Sequence, residues 1–130
     1  MKRQLISTDS PYEKTAGYSR AVVQDTLAGR WVFVSGTTGY DYDTMTMPET
    51  VEQQTVNCLA TIAKALEEAD CGLEHVVRCH YYITRRDHVA RVFPELGKMF
   101  KDIRPAATMV VCELNEPEML IEIEVTALKV

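Results

Sequence analysis

The chain has 130 residues, 46% of them hydrophobic, and 14 Lys and Arg against 19 Asp and Glu give a formal net charge of −5. This length supplies one sizeable core and so one domain, residues 1–130. The acidic balance, without a Lys/Arg-rich run, lacks the electrostatic footprint of a nucleic-acid binder. No stretch approaches the roughly 18 apolar residues of a membrane span, and Met1 to Tyr12 hold no apolar signal-peptide core, so a cytosolic protein without membrane contact is expected.

In chain order, Tyr18 to Asp25 and Arg30 to Ser35 are rich in Val, Phe, Tyr and Trp, and the intervening Leu27-Ala28-Gly29 suits a hairpin with Gly29 at positive φ. Gly36 to Asp43 mixes Gly, Thr and Asp and reads as a loop leaving the strand. A long amphipathic helix follows. Pro48 suits its first turn, Thr50 and Gln53 have capping-box spacing, Val56, Leu59, Ile62, Ala63, Leu66 and Ala69 recur every three or four residues, and Gly72 is the expected stop.

Val76 to Thr84 alternates. Val77, Cys79, Tyr81 and Ile83 form an apolar face, and Arg78, His80 and Tyr82 occupy the other. Asp87 to Phe100 has helical spacing interrupted by Pro94, which predicts a turn and then a helix starting at that proline. Ala106 to Leu114 and Met119 to Leu128 read as a final pair of strands around Asn115-Glu116-Pro117-Glu118. The predicted order is β-β-α-β-α-β-β in an α+β domain: an antiparallel-rich mixed sheet with two helices on one face. The other face then needs cover, and self-association supplies it most simply.

Cys58, Cys71, Cys79 and Cys112 form no CxxC pair and read as reduced structural thiols, with Cys79 and Cys112 buried in strands. His75, His80 and His88 share no metal-ligand spacing, so no metal is expected; His80 reads as a structural histidine that could border a cleft. Gly36-x-x-Gly39 is too short for a P-loop and lacks its Lys.

Several separated segments resemble the RidA/YjgF family, also labelled endoribonuclease L-PSP: Tyr18-Ser19-Arg20-Ala21, Val34-Ser35-Gly36, Gln54-Thr55, Val76-Val77-Arg78, Pro105-Ala106 and Ile121-Glu122-Ile123-Glu124. Together they cover nearly the whole chain in the family's order. The resemblance implies a chorismate-mutase-like fold, a homotrimer with clefts between subunits, and hydrolysis of reactive imines and enamines to keto acids and ammonia without a cofactor.

That chemistry needs an anion-holding cation and a proton-passing carboxyl facing one cleft. By the resemblance, Glu122 is the pocket carboxylate, Tyr18 the pocket tyrosine, and Ser35 with Gly36 the hydrogen-bonding corner. The family's arginine after Pro-Ala is replaced by Ala107, whose methyl group cannot pair with a carboxylate. Met109 stands where some deaminases have Cys, and Thr37-Thr38-Gly39 departs from the usual Gln-apolar-Pro, which predicts a reshaped cleft mouth. Arg20 and Arg104 are candidate replacement cations, each also readable as a surface arginine; Glu122 and Glu124 also fit a solvated strand face, and Tyr18 a half-buried strand aromatic. Two functions therefore stand side by side. One is an imine or related C–N hydrolase of altered specificity; the other is a non-catalytic trimer that binds a small carboxylate or metabolite as sensor or carrier.

Overall fold

The computed structural model describes residues 2–130. Its first two elements precede the expected order. Strand β1 (Arg3–Ile6) lies antiparallel to β2 (Ala21–Thr26), with Arg3 opposite Gln24 and Ile6 opposite Ala21. Only Ile6 of the four is buried, so no apolar alternation announces the strand. Helix α1 (Pro11–Ala16) is too short for periodicity, yet its ends are well specified. The Ser10 hydroxyl accepts from the Tyr12 N–H, Pro11 takes the first position, and Gly17 closes the helix at φ 74.

β2 begins at Ala21 rather than Tyr18, because the Tyr18 N–H is donated to the Glu13 carbonyl and so belongs to the close of α1. The expected hairpin forms: β2 pairs with β3 (Gly29–Thr38), and Gly29 sits at φ 148. β3 runs further than predicted. Its register against β6 (Ile121–Lys129) shifts between Val34 and Thr37, so Ser35 and Gly36 form a bulge inside the strand and the loop starts only at Gly39.

Helix α2 (Val51–Glu68) takes the predicted Thr50 cap, with Thr50 Oγ1 accepting from the Gln53 N–H at 3.2 Å, but the capping box does not close, because Gln53 Nε2 donates to Asn57 Oδ1; Pro48 lies ahead of the cap. The helix stops before Gly72, because Asp70 takes the left-handed position at φ 58. β4 (Val76–Ile83) buries Cys79, Tyr81 and Ile83, but a register shift between Val76 and Arg78 turns Val77 outward and Val76 inward.

Helix α3 (Val89–Phe100) passes through Pro94 instead of starting there. One proline in a helix costs about 3 kcal/mol. Val92, Leu96 and Phe100, four residues apart on one face, are all buried, and each such burial contributes about 1.5–3 kcal/mol. Packing therefore outweighs the missing hydrogen bond.

The last two strands do not form the expected second hairpin. β5 (Ala106–Val111) pairs in parallel with β4 at the edge, and β6 lies between β3 and β4, giving the order β1-β2-β3-β6-β4-β5. β4–β5 is the parallel pair in an otherwise antiparallel sheet. Helix α2 packs on β3, β6 and α3, so both long helices cover one face of this α+β sheet. The opposite face exposes the stacked Trp31 and Phe33 rings, with Phe33 49% exposed. Among the described residues no helix is long and apolar enough to cross a membrane.

Leu66 is fully buried under the sheet, whereas Leu27 at the hairpin tip is 97% exposed. Leu66→Ala is expected to cost about 2–5 kcal/mol and Leu27→Ala less than about 0.5 kcal/mol, as read from urea denaturation midpoints.

Candidate functional site

The sequence segments around Tyr18, Ser35 and Glu122 meet at the end of the sheet where β3 bulges. On β6 the buried Ile121, Ile123 and Val125 turn towards the helices, so Glu122 and Glu124 stand on the opposite face. Glu122 lies between Thr38 of β3 and Tyr82 of β4. Its carboxyl is seated directly over Gly36, where an added Cβ would collide with Glu122 Oε2. A side chain at position 36 would therefore expel the carboxylate.

Beneath this corner lies Arg20, only 1% exposed, so it is neither a surface arginine nor open to bulk water. Its Nη1 donates to the Gly36 carbonyl and to Thr37 Oγ1, both at 2.9 Å. The guanidinium carbon stands 5.7 Å from the Tyr18 ring centre and 5.0 Å from that of Tyr42. Its counter-charge is Glu13, 6% exposed, with Oε2 3.8 Å from Arg20 Nε. Glu13 also accepts from the Thr8 N–H at 3.1 Å and the Thr8 hydroxyl at 2.5 Å. The sequence motifs did not reveal Glu13 or Tyr42. The available signal for Glu13 was its place inside a helix bracketed by Ser10-Pro11 and Gly17.

These environments separate the two carboxyls. Burial pushes Glu122 above the usual carboxylate range; Arg20 pulls against that and Glu124 adds to it. Burial also acts upward on Glu13, but hydrogen bonds from Thr8 and the Arg20 charge outweigh it and hold the group below that range. Burial raises the Tyr18 hydroxyl, with Arg20 opposing. Near neutral pH the corner thus pairs a firmly ionised Glu13 with a carboxyl more ready to carry a proton.

Ser35 joins two segments of the site. Its hydroxyl donates to the Ser19 carbonyl at 2.5 Å and its N–H to the Arg20 carbonyl at 2.9 Å, which ties the Tyr18–Arg20 segment to β3. Gln54, fully buried, clamps the neighbouring loops. Its Nε2 donates to the Pro48 and Glu118 carbonyls and its Oε1 accepts from the Leu120 N–H. Gly39 packs against this residue, and an added Cβ would stand 2.5 Å from Gln54 Cβ.

Ala107 and Met109 are not part of this corner within one chain. They lie in register with the buried Cys79 and Tyr81 on edge strand β5, on the helix side of the sheet and across β4 from β6. Arg104 stands exposed before β5 at φ 54. His80 Nδ1 lies 3.3 Å from Glu124 Oε1, which also accepts from the Tyr82 hydroxyl. All four cysteines are free, Cys112 only half-buried just past β5, and burial drives the Cys58 thiol far up. Among the described residues no group of three His, Cys, Asp or Glu could hold a metal ion.

Glu13→Gln leaves Arg20 as a buried cation without its counter-charge and is expected to cost about 3–5 kcal/mol. Because the folded pKa of Glu13 is lowered, its contribution is present above the unfolded value near 4.3 and is lost as pH falls through the folded one. Urea titrations from pH 7 down to about pH 3 should therefore show a steeper loss in the natural chain than in Glu13→Gln.

The profile of the Endoribonuclease L-PSP family matches residues 8–129. The chain is 31% identical to the RutC family protein UK114 of Drosophila melanogaster over 97% of its own length and 89% of the relative's. It is 26% identical to a RutC family protein of Pyrococcus abyssi, covering 99% of both. A crystal structure from Mycobacterium tuberculosis, described as a member of the highly conserved YjgF/YER057c/UK114 family, superposes with a TM-score of 0.87 at 34% identity, covering 98% of this chain and 100% of that one. With the corner of Gly36, Tyr18 and Glu122 assembled on that shared fold, the chain belongs to the RidA/YjgF (endoribonuclease L-PSP) family.

Proposed function

We propose that the corner of Gly36, Tyr18 and Glu122 binds a small metabolite and hydrolyses a C=N bond in it. The supporting observation is Glu122: a carboxyl desolvated over Gly36 and pushed above its usual range. Such a group gives a proton to the enamine carbon or imine nitrogen, then takes one from the attacking water. An iminium and one water thereby become a carbonyl compound and ammonium, and no electrons change hands.

Tyr18, 38% exposed, is the ring against which the substrate lies. Arg20 serves the site from below, since both Nη1 bonds go to the β3 corner and Glu13 offsets its charge. Homotrimer formation fits the uncovered face around Trp31 and Phe33, and would bring the exposed edge strand β5 with Ala107 of one subunit against the Glu122 corner of another. Arg104, exposed and three residues before Ala107, is then the cation available to hold a carboxylate.

Ala107 favours a second reading in which the cleft binds a metabolite without turning it over, because a methyl group provides no anion clamp. RNA hydrolysis, suggested by the family's label, fits poorly with a net charge of −5 and no basic run to engage phosphates.

Ammonia release from an imine generated in situ by an amino-acid oxidase distinguishes these readings. The proposal expects faster hydrolysis by the natural chain and a loss of about 10²-fold or more in Glu122→Gln. Activity only in Ala107→Arg supports the binding-only reading, and activity in neither chain contradicts imine hydrolysis.

A further inference from the structure

Glu122 has a second carboxylate for a neighbour. Glu124 follows two residues later on the same face of β6, about 7 Å along the strand. The same face of β4 carries His80 and Tyr82, and the register sets Tyr82 opposite Glu122 and His80 opposite Glu124. All four side chains are half-buried, so they form one polar block beside the Gly36 corner.

Their contacts are uneven. A phenol has a single proton to donate, and Tyr82 does not spend it on the carboxyl across from it; its hydroxyl reaches diagonally and donates to Glu124 Oε1. That oxygen also lies 3.3 Å from His80 Nδ1. The hydrogen bond to Glu124, and then burial, push Tyr82 up to about 12, so the phenol keeps its proton and stays a donor. Glu122 rests over Gly36 and forms no ion pair among the described residues.

A donor aimed at a carboxylate favours its charged form, and a like charge nearby favours the neutral form of its neighbour. At Glu122 burial acts upward, Arg20 opposes it and the Glu124 charge adds to the rise. The other groups facing the block are the Cys58 thiol of α2, buried and uncharged, and Arg78, exposed two residues before His80 on β4. Two adjacent carboxyls are thus made unequal by where one phenol proton goes.

We propose that Glu124 is a positioning residue for Glu122: a carboxylate fixed by Tyr82 and His80 whose charge keeps the proton on its neighbour, so that Glu122 and not Glu124 delivers it. Glu124 has this role only if Glu122 carries the proton of the C=N chemistry proposed above.

Carboxyl ¹³C NMR pH titrations of the natural chain, Glu124→Gln and Tyr82→Phe test it, with Glu13 as the internal control. Glu124→Gln removes the charge at nearly constant shape and should lower the Glu122 midpoint by about 0.5 pH unit or more. Tyr82→Phe keeps the ring but frees Glu124 to turn into solvent, and should move the midpoint the same way by less. The Glu13 midpoint should hold in both variants, because burial, Thr8, Ser7 and Arg20 set it. The proposal is overturned by an unchanged Glu122 midpoint in either variant, or by a Glu13 midpoint that moves with it, the mark of a general loosening of the fold. A natural Glu122 midpoint at or below about 4.3 removes both this role and the C=N reading beneath it, whereas a raised midpoint that ignores Glu124 removes this role alone.

Discussion

The buried ion pair between Arg20 and Glu13 organises the site end of this molecule. Removing two charges from water is expensive, and their attraction offsets that cost only when the remaining donors and acceptors are also used. Here Thr8 supplies hydrogen bonds to the carboxylate, while Gly36, Thr37 and the rings of Tyr18 and Tyr42 surround the guanidinium. The pair links α1, the segment entering β2 and the bulge of β3. Through Gly36 it also fixes the surface on which the Glu122 carboxyl rests.

This arrangement places a buried cation beneath the Glu122 corner. Arg20 is 1% exposed and donates to the Gly36 carbonyl and Thr37 Oγ1. Its field still reaches Glu122 and opposes the effect of burial there. Acid strength at Glu122 is thus a balance of desolvation and the Glu124 charge against one buried arginine, and changes at Glu13 or Tyr42 would shift it without touching a substrate.

Much of the fold was legible because its signals are local or periodic. Thr50 and Gln53 marked the α2 cap, Gly29 the hairpin, and alternation along β4 and β6 revealed which face carries Glu122. What escaped was set by tertiary contact. β1 and α1 are too short for periodicity, Val77 was displaced by a bulge, Pro94 was overridden by the packing of α3, and the neighbour of β5 is chosen across the sheet rather than along the chain. The site divided in the same way. Resemblance to a family brought Tyr18, Gly36 and Glu122 into view, but burial of Arg20 by Glu13 depends on contacts that no local pattern encodes.

The central claim is that the corner holds Glu122 as a weakened acid over Gly36. A ¹³C NMR pH titration of the Glu122 carboxyl, assigned with Glu122→Gln, tests it directly. A midpoint clearly above the ordinary glutamate value of about 4.3 is predicted; a midpoint at or below that value would contradict the account.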